Sequence, residues 1–386
     1  MHLRSDVEIG SYVSGGIDSS LLLNLASQEQ HNIQGFHGRF TDYSGYDESK
    51  YAQAASDLAG GALNIIDINA QDFTSNINNV IYHLDFPIAG PGSFPQYMVS
   101  KLASEKLKVV LGGQGGDEVF GGYARYVIAY LEQSLKAAID GTYKNGNYVV
   151  TIESIIPNLG LLKEYKPLIK QFWKKGLFDQ MDQRYFCLID RSNDMSNEII
   201  WEDMDINEVY SDYKKIFNNK NNVGHEAYFD KMTHFDFKCL LPALLQVEDR
   251  MSMAHGLESR VPLLDHPIIE FAATIPADIK FKNGNMKYML KDVFKSNLPS
   301  EIINRRDKMG FPVPIKEWFS NEIKTFILDT FSSLSAKNRS FMNADAAIQN
   351  FNNEARFSRK AWGLLSLELW QQMFHDNTHK WKNLLK

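Results

Sequence analysis

Two glycine-rich strings and one lysine carry most of the chemistry legible in this chain. The first string is Ser14-Gly15-Gly16-Ile17-Asp18-Ser19-Ser20, set between a short apolar run and a leucine-rich one. Between a strand and a helix, such a string aims free backbone N–H groups outward, with the positive end of the helix dipole behind them. Glycine lets the chain turn tightly and lets phosphate oxygens approach the backbone, and the serine hydroxyls add donors. Asp18 would repel a bare polyphosphate, so its presence calls for a cation between them. Mg2+, bound through a carboxylate and phosphate oxygens, is the natural choice. A plain strand-to-helix turn explains the two glycines alone, but not the whole string. No G-K-[ST] follows, so this is not a Walker loop.

The second string is Gly112-Gly113-Gln114-Gly115-Gly116-Asp117-Glu118, with Gly121-Gly122-Tyr123 close behind. By itself it also reads as a flexible loop ending in an Asp helix cap. If both strings follow strands of one doubly wound sheet, both face one crevice at the strands' carboxyl ends. Asp18 and Asp117 then become paired hard-oxygen ligands around one polyphosphate. Lys287 follows an Asn283-Gly284-Asn285 turn and opens an apolar helix. Aimed inward, it would stabilise charge growing on phosphoryl oxygens and on a departing pyrophosphate. A solvated helix lysine is the ordinary alternative.

These residues need a scaffold, and the first 135 residues supply one. Val7, Ile9, Ser11 and Val13 alternate with Glu8, Gly10 and Tyr12, which predicts a strand over 7–13. Leu21, Leu22, Leu23, Leu25 and Ala26 predict an apolar helix. Further strands are predicted over 33–40, 62–68 and 107–111. Asp47 is a candidate cap for a helix that runs to Leu58 and ends at Gly60-Gly61. Two more helices are predicted over 72–84 and 94–106, and another carries Tyr123, Tyr126, Val127, Tyr130 and Leu131. This alternation predicts an α/β fold: a doubly wound, mostly parallel sheet with helices on both faces. Beyond residue 136 a large helical region extends it, with polar turns at 140–147 and 218–224. The expected division is a nucleotide-binding core over 1–135, a helical insertion over 136–227, and a helical part over 228–386 that completes the site.

Composition narrows the function. The chain has 386 residues, 23% charged and 44% hydrophobic, which excludes disordered, collagen-like and coiled-coil classes. Lys plus Arg number 41 against 47 Asp plus Glu, a net charge of −6 that argues against a nucleic-acid partner. The two cysteines, Cys187 and Cys239, make neither a disulfide framework nor a metal pair and read as small apolar fillers in a cytoplasmic protein. Neither a long apolar run nor a signal-peptide layout is seen, so no membrane association is expected.

The string S-G-G-I-D-S-S is similar to the pyrophosphate loop of enzymes that split ATP between its α and β phosphates. Together with V-V-L-G-G-Q-G-G-D-E-V-F-G-G-Y and M-A-H-G-L-E-S-R-V-P-L-L-D at 253–265, it resembles the synthetase domain of glutamine-hydrolysing asparagine synthetase. The three motifs lie in register from Leu3 to about Trp318. The resemblance implies adenylation of a carboxylate, release of pyrophosphate, and attack by an amine on the acyl-adenylate. In that family the acid is the aspartate side chain and the amine is ammonia. Carried over by position, Ser14, Gly15, Gly16, Asp18 and Ser19 would hold the ATP phosphates. Val13, the backbone near Gly38, Gly112 and Gly113 would flank the adenosine. Asp18 and Asp117 would bind Mg2+ and pyrophosphate, and Lys287 in G-N-M-K-Y-M-L-K would contact the phosphates.

Gln114, Glu118 and Tyr123 are the candidates for the acceptor pocket. Many family members carry Glu where this chain has Gln114, and Asp85-Phe86-Pro87 replaces the usual acidic pair before proline. Amidation or cyclisation of a different carboxylate is therefore the competing expectation, ahead of a tRNA-modifying or a non-catalytic nucleotide-binding protein. His2 stands where the family's glutaminase half has its nucleophilic cysteine. The glutaminase domain is expected to be absent, the chain to depend on ammonia, and a glutaminase domain or subunit to be a partner. A homodimer is a further expectation. Glu258, Arg260 and Asp265 are expected to form a buried ion network. Arg305, Arg306 and Lys308 read equally as a mobile lid over the phosphates or as a basic surface loop.

Overall fold

The computed structural model of the protein describes residues 1–88, 90–142, 150–224, 227–305, 310–351 and 359–384. The first third runs β1 (Ile9–Tyr12), α1 (Ile17–Glu29), β2 (Gln34–Arg39), α2 (Ser49–Ala59), β3 (Leu63–Asp67), α3 (Ala70–Leu84), α4 (Ser93–Ser104), β4 (Val109–Leu111), α5 (Gly116–Phe120) and α6 (Ala124–Ile139). Side-chain alternation along the strands decides how the sheet is covered. Ile9, Val13, Val109 and Leu111 pack on one face against Leu23 and Ala26 of α1 and Ala52 and Ala55 of α2. Tyr12, Phe36 and Val110 turn to the other face, against Val99 and Ala103 of α4. The sheet is thus buried on both sides, as a parallel sheet requires.

Its strand order is β3-β2-β1-β4-β5, with every pairing parallel. The chain winds outward from β1 to β3, then returns to place β4 on the opposite side of β1. The order reverses between β1 and β4, and their carboxyl ends open the crevice where ligands of such sheets bind. β5 (Glu258–Arg260) comes from far downstream and pairs with β4 through Val109–Glu258 and Leu111–Arg260. No strand is expected there from the residues alone. Three residues with two charged side chains suit only an exposed edge.

Helix ends differ from expectation by the groups that cap them. α3 begins at Ala70, ahead of the expected Asp72, because Asn69 and Asp72 form a capping box. Asn69 Oδ1 accepts from Asp72 N at 3.0 Å and Asp72 Oδ2 accepts from Asn69 N at 3.0 Å. An Asn69→Ala variant is expected to lose about 1 kcal/mol of stability in urea unfolding. Asp47 binds Ser49 N at 2.8 Å from just outside α2, and Gly60 ends that helix with φ 66°.

Downstream helices wrap the sheet in two directions. Trp318 and Trp362, both fully buried, pack with Phe73, Phe94 and Phe40 of the first third. Helices between 150 and 235 pack an aromatic cluster against α6. Cys187 is half-buried and Cys239 exposed, so Cys239 is not the buried filler expected. Among the described residues no helix is long and apolar enough to cross a membrane.

Candidate active site

The first glycine string leaves β1 at Val13 and enters α1 at Ile17. Val13 is pinned as the strand ends: its N–H donates to Phe36 O at 2.9 Å, and its carbonyl accepts from His37 Nδ1 at 2.7 Å. Gly15 then takes φ 71°, a left-handed turn that favours glycine. A Cβ there would stand 2.5 Å from Tyr51 Cβ. Ser14 and Ser19 close the loop. Ser14 N donates to Ser19 Oγ at 3.1 Å, the two hydroxyl oxygens lie 3.0 Å apart, and Gly16 N donates to Ser14 Oγ at 3.3 Å.

The second string leaves β4 at Leu111 and comes directly against the first. A Cβ at Gly113 would lie 3.0 Å from Ser19 N and 3.4 Å from Asp18 Cβ. The two loops therefore pack directly against each other. Gly38 sits one strand away on β2, closed in by Val99 and Ile68.

Lys287 joins the loops. Its ammonium pairs with Asp18 Oδ2 and, at 2.6 Å, with Asp117 Oδ1. Lys287 caps the helix Tyr288–Val293 with φ 53°, and its N–H donates to Gly121 O at 3.4 Å. Burial alone would lower its pKa. The Asp117 and Asp18 carboxylates outweigh that and hold it above the ordinary lysine value, so the ammonium stays charged. Asp117 is 38% exposed and Asp18 14%, so the open side of the pair is Asp117.

Mg2+ fits this donor set. It uses one or two carboxylates with phosphate oxygens and water, and Asp18 and Asp117 bring hard oxygens together beside the Lys287 ammonium that both of them contact. Among the described residues no group of three or more His, Cys, Asp or Glu gathers to hold a metal by itself.

Glu118 and Tyr123 form the next layer. The Tyr123 hydroxyl donates to Glu118 Oε1, and the Arg125 guanidinium lies 3.7 Å over the Tyr123 ring. Glu118 is buried. Burial first, then the neighbouring Asp117, push its pKa up to about 7. The start of α6, capped by Tyr123 and carrying Arg125, is fixed by Asp236, whose Oδ2 accepts from Arg125 Nη2 at 2.6 Å, Tyr126 OH at 2.5 Å and Tyr185 OH at 2.6 Å.

A sequence model of the asparagine synthase family matches residues 1–372 of this chain. The chain belongs to the asparagine synthase family. It is 28% identical to asparagine synthetase [glutamine-hydrolyzing] 1 of Bacillus subtilis over 382 residues, covering 97% of this chain and 57% of that protein. Asparagine synthetase [glutamine-hydrolyzing] 3 of the same organism is 22% identical over 328 residues, with 80% and 46% covered. Amidase chry2 of Gibberella zeae is 20% identical over 389 residues, with 90% and 55% covered. The chain spans about half the length of these relatives.

In this asparagine synthase family member the geometry also departs from what its motifs suggested. Glu258 and Arg260 pair at 2.6 Å, but Glu258 is 57% exposed, so the expected buried network is a surface pair on the edge strand. Arg260 Nη1 donates to the carbonyls of His2 and Arg4 at 2.7 and 2.9 Å, tying the N-terminal segment to β5. Asp265 lies 3.8 Å from His2 rather than in that pair. Arg305 is neither solvated nor remote. Its guanidinium pairs with Glu48, lies 3.8 Å over the Tyr51 ring, and donates to Gly15 O at 3.4 Å. Arg306 and Lys308 lie outside the described residues.

Two site residues gave no readable signal in sequence. His37 is one hydrophilic residue in a strand. Glu248, in the string Gln246-Val247-Glu248-Asp249-Arg250, looks like any polar helix face, yet it is buried beneath the second glycine loop.

Proposed function

We propose that this chain forms an amide bond at the expense of ATP, with aspartate as the acceptor acid. A side-chain carboxylate oxygen attacks the α-phosphorus, the bond to the bridging oxygen breaks, and pyrophosphate departs. Ammonia nitrogen then attacks the acyl carbon, the acyl C–O bond to AMP breaks, and asparagine and AMP are released. The observation that carries this reading is the Lys287 ammonium held between Asp18 and Asp117, one from each glycine loop, at the point where the strand order reverses. A fixed cation there stabilises an in-line transition state more than the bound ground state.

In this reading Ser14, Gly15, Gly16 and Ser19 cradle the phosphates, and Val13, Gly38, Gly112 and Gly113 border the adenosine. Asp18 and Asp117 would hold the Mg2+ that accompanies ATP, which supplies charge neutralisation when bound. Gln114, Glu118 and Tyr123 line the acceptor side. The nitrogen arrives as ammonia, and the names of the Bacillus relatives point to a glutamine-hydrolysing unit as its source. Cytoplasmic placement and a homodimer belong to the same proposal.

Gln114 favours a second reading, in which another carboxylic acid takes the place of aspartate. The loop carries a neutral amide at that position, and a relative bears the name amidase. One assay separates the two: ATP–pyrophosphate exchange with Mg2+ and a panel of acids, followed by amide formation with ammonia. Exchange that depends on aspartate supports the first reading. Exchange with another acid only supports the second. Release of orthophosphate, or no exchange with any acid, rejects both.

A further inference from the structure

Glu248 lies on the helix Leu241–Met253 and is 4% exposed. Its Oε1 accepts from Ser259 Oγ at 2.5 Å, and its Oε2 accepts from Gln114 Nε2 at 3.2 Å and Gln96 Nε2 at 3.4 Å. A Cβ on Gly112 would stand 3.0 Å from its Cδ, so the carboxylate fills the space directly under the second glycine loop. No described lysine or arginine pairs with it. A carboxylate buried on neutral donors alone is costly, and an apolar side chain of similar volume would pack there without that cost.

The consequence falls on Gln114. A primary amide has one donating end and one accepting end. Glu248 Oε2 accepts from the NH2 group, and that fixes which end of the amide is turned away from it. No described residue donates to the remaining Oε1. The loop that carries Asp117 and Glu118 thus offers a neutral acceptor of defined orientation.

We propose that Glu248 is a positioning residue that orients the Gln114 carbonyl to receive an N–H of the nitrogen nucleophile. This rests on the amide-forming reading above. As the C–N bond forms and AMP leaves with the C–O electron pair, the surplus proton passes to water. Gln114 accepts a hydrogen bond and takes no proton, while its orientation aims the nitrogen lone pair at the acyl carbon.

The test uses the whole chain with ATP, Mg2+ and the acid that supports exchange. Glu248→Gln removes the group that fixes the amide, because a second amide can donate or accept. It is expected to raise the ammonia KM about tenfold or more, the loss of one hydrogen bond to the nucleophile. Acid-dependent exchange should fall by about threefold at most. Gln114→Glu alone sets two carboxylates against each other and weakens the ammonia step further.

The double variant Gln114→Glu with Glu248→Gln restores one carboxylate and one amide to the pair. It should bring the ammonia KM back to within about threefold of the parent. It should also add an acid limb to the pH profile of that step, which a merely structural role for the pair would not create. Equal loss of exchange and ammonia use in Glu248→Gln overturns the assignment, as does an unchanged ammonia KM. If Glu248→Gln does not fold, a double variant without the new acid limb overturns it too. Absence of exchange in the parent protein rejects the amide-forming reading and the assignment with it, whereas exchange without the split rejects the assignment alone.

Discussion

Replacing Lys287 by methionine is expected to lower acid-dependent ATP–pyrophosphate exchange by about two to three orders of magnitude. Methionine keeps the length and packing of the side chain and removes only the charge. That charge lies between Asp18 and Asp117, where the negative charge of a departing pyrophosphate would accumulate. The stability readout runs alongside. Removing the ammonium leaves two carboxylates facing each other, and a fully buried pair broken this way loses about 3–5 kcal/mol. Asp117 is more than a third exposed, so solvent screens the repulsion and about 2 kcal/mol is the expected loss. Millimolar Mg2+ should then raise the Tm of the Lys287→Met protein more than that of the parent. Exchange within tenfold of the parent would remove Lys287 from the reaction, and an equal response to Mg2+ would remove Asp18 and Asp117 from the metal.

The second large effect is expected at Gly15. An alanine there must adopt φ 71°, and its Cβ would lie 2.5 Å from Tyr51 Cβ and 3.0 Å from Ala52 N. The left-handed conformation costs about 1–2 kcal/mol for a residue with a Cβ. Forcing atoms into a closed space adds about 1–3 kcal/mol. Relieving the clash with Tyr51 and Ala52 shifts the loop or the start of α2 packed against it, and either displaces the backbone that would bind phosphate. A displacement near 1 Å at such a site costs about a hundredfold in rate. Gly60→Ala is the control, since Gly60 also has positive φ, 66°, but nothing lies within 4 Å of its Cβ position. It should cost only about 1 kcal/mol and leave exchange intact. If Gly15→Ala behaves like Gly60→Ala, the first loop does not carry the phosphates.

Much of the scaffold was legible because local and long-range demands agree there. The strand patterns at 7–13, 33–40, 62–68 and 107–111 each contain a strand of the sheet, and the inner strands, covered on both faces, have little freedom of composition. The glycine strings marked strand ends because only tight turns tolerate them. What stayed hidden was set by partners distant in sequence. β5 is three residues long and is defined by β4 alone. Glu248 looks like an exposed helix position until Gly112 and Gln114, more than a hundred residues away, close over it. Arg305 read equally as surface or lid because its partner Glu48 lies at the opposite end of the chain. Glu258 and Arg260 alternate outward on an edge strand, while Ser259 between them turns inward to Glu248. A two-residue period cannot be read from three residues.

The late origin of β5 bears on biosynthesis. A ribosome delivers β1 to β4 and both glycine loops in the first 120 residues, but the outer edge of β4 has no neighbour until Glu258–Arg260 emerges. Trp318 and Trp362, which cover Phe73, follow later still. The nascent chain therefore carries a bare strand edge while residues 112–257 are made, and an uncovered aromatic face for longer still, the period when such surfaces pair wrongly or recruit holdases. Truncation before residue 260 should yield insoluble protein even though every phosphate-loop residue has already been made.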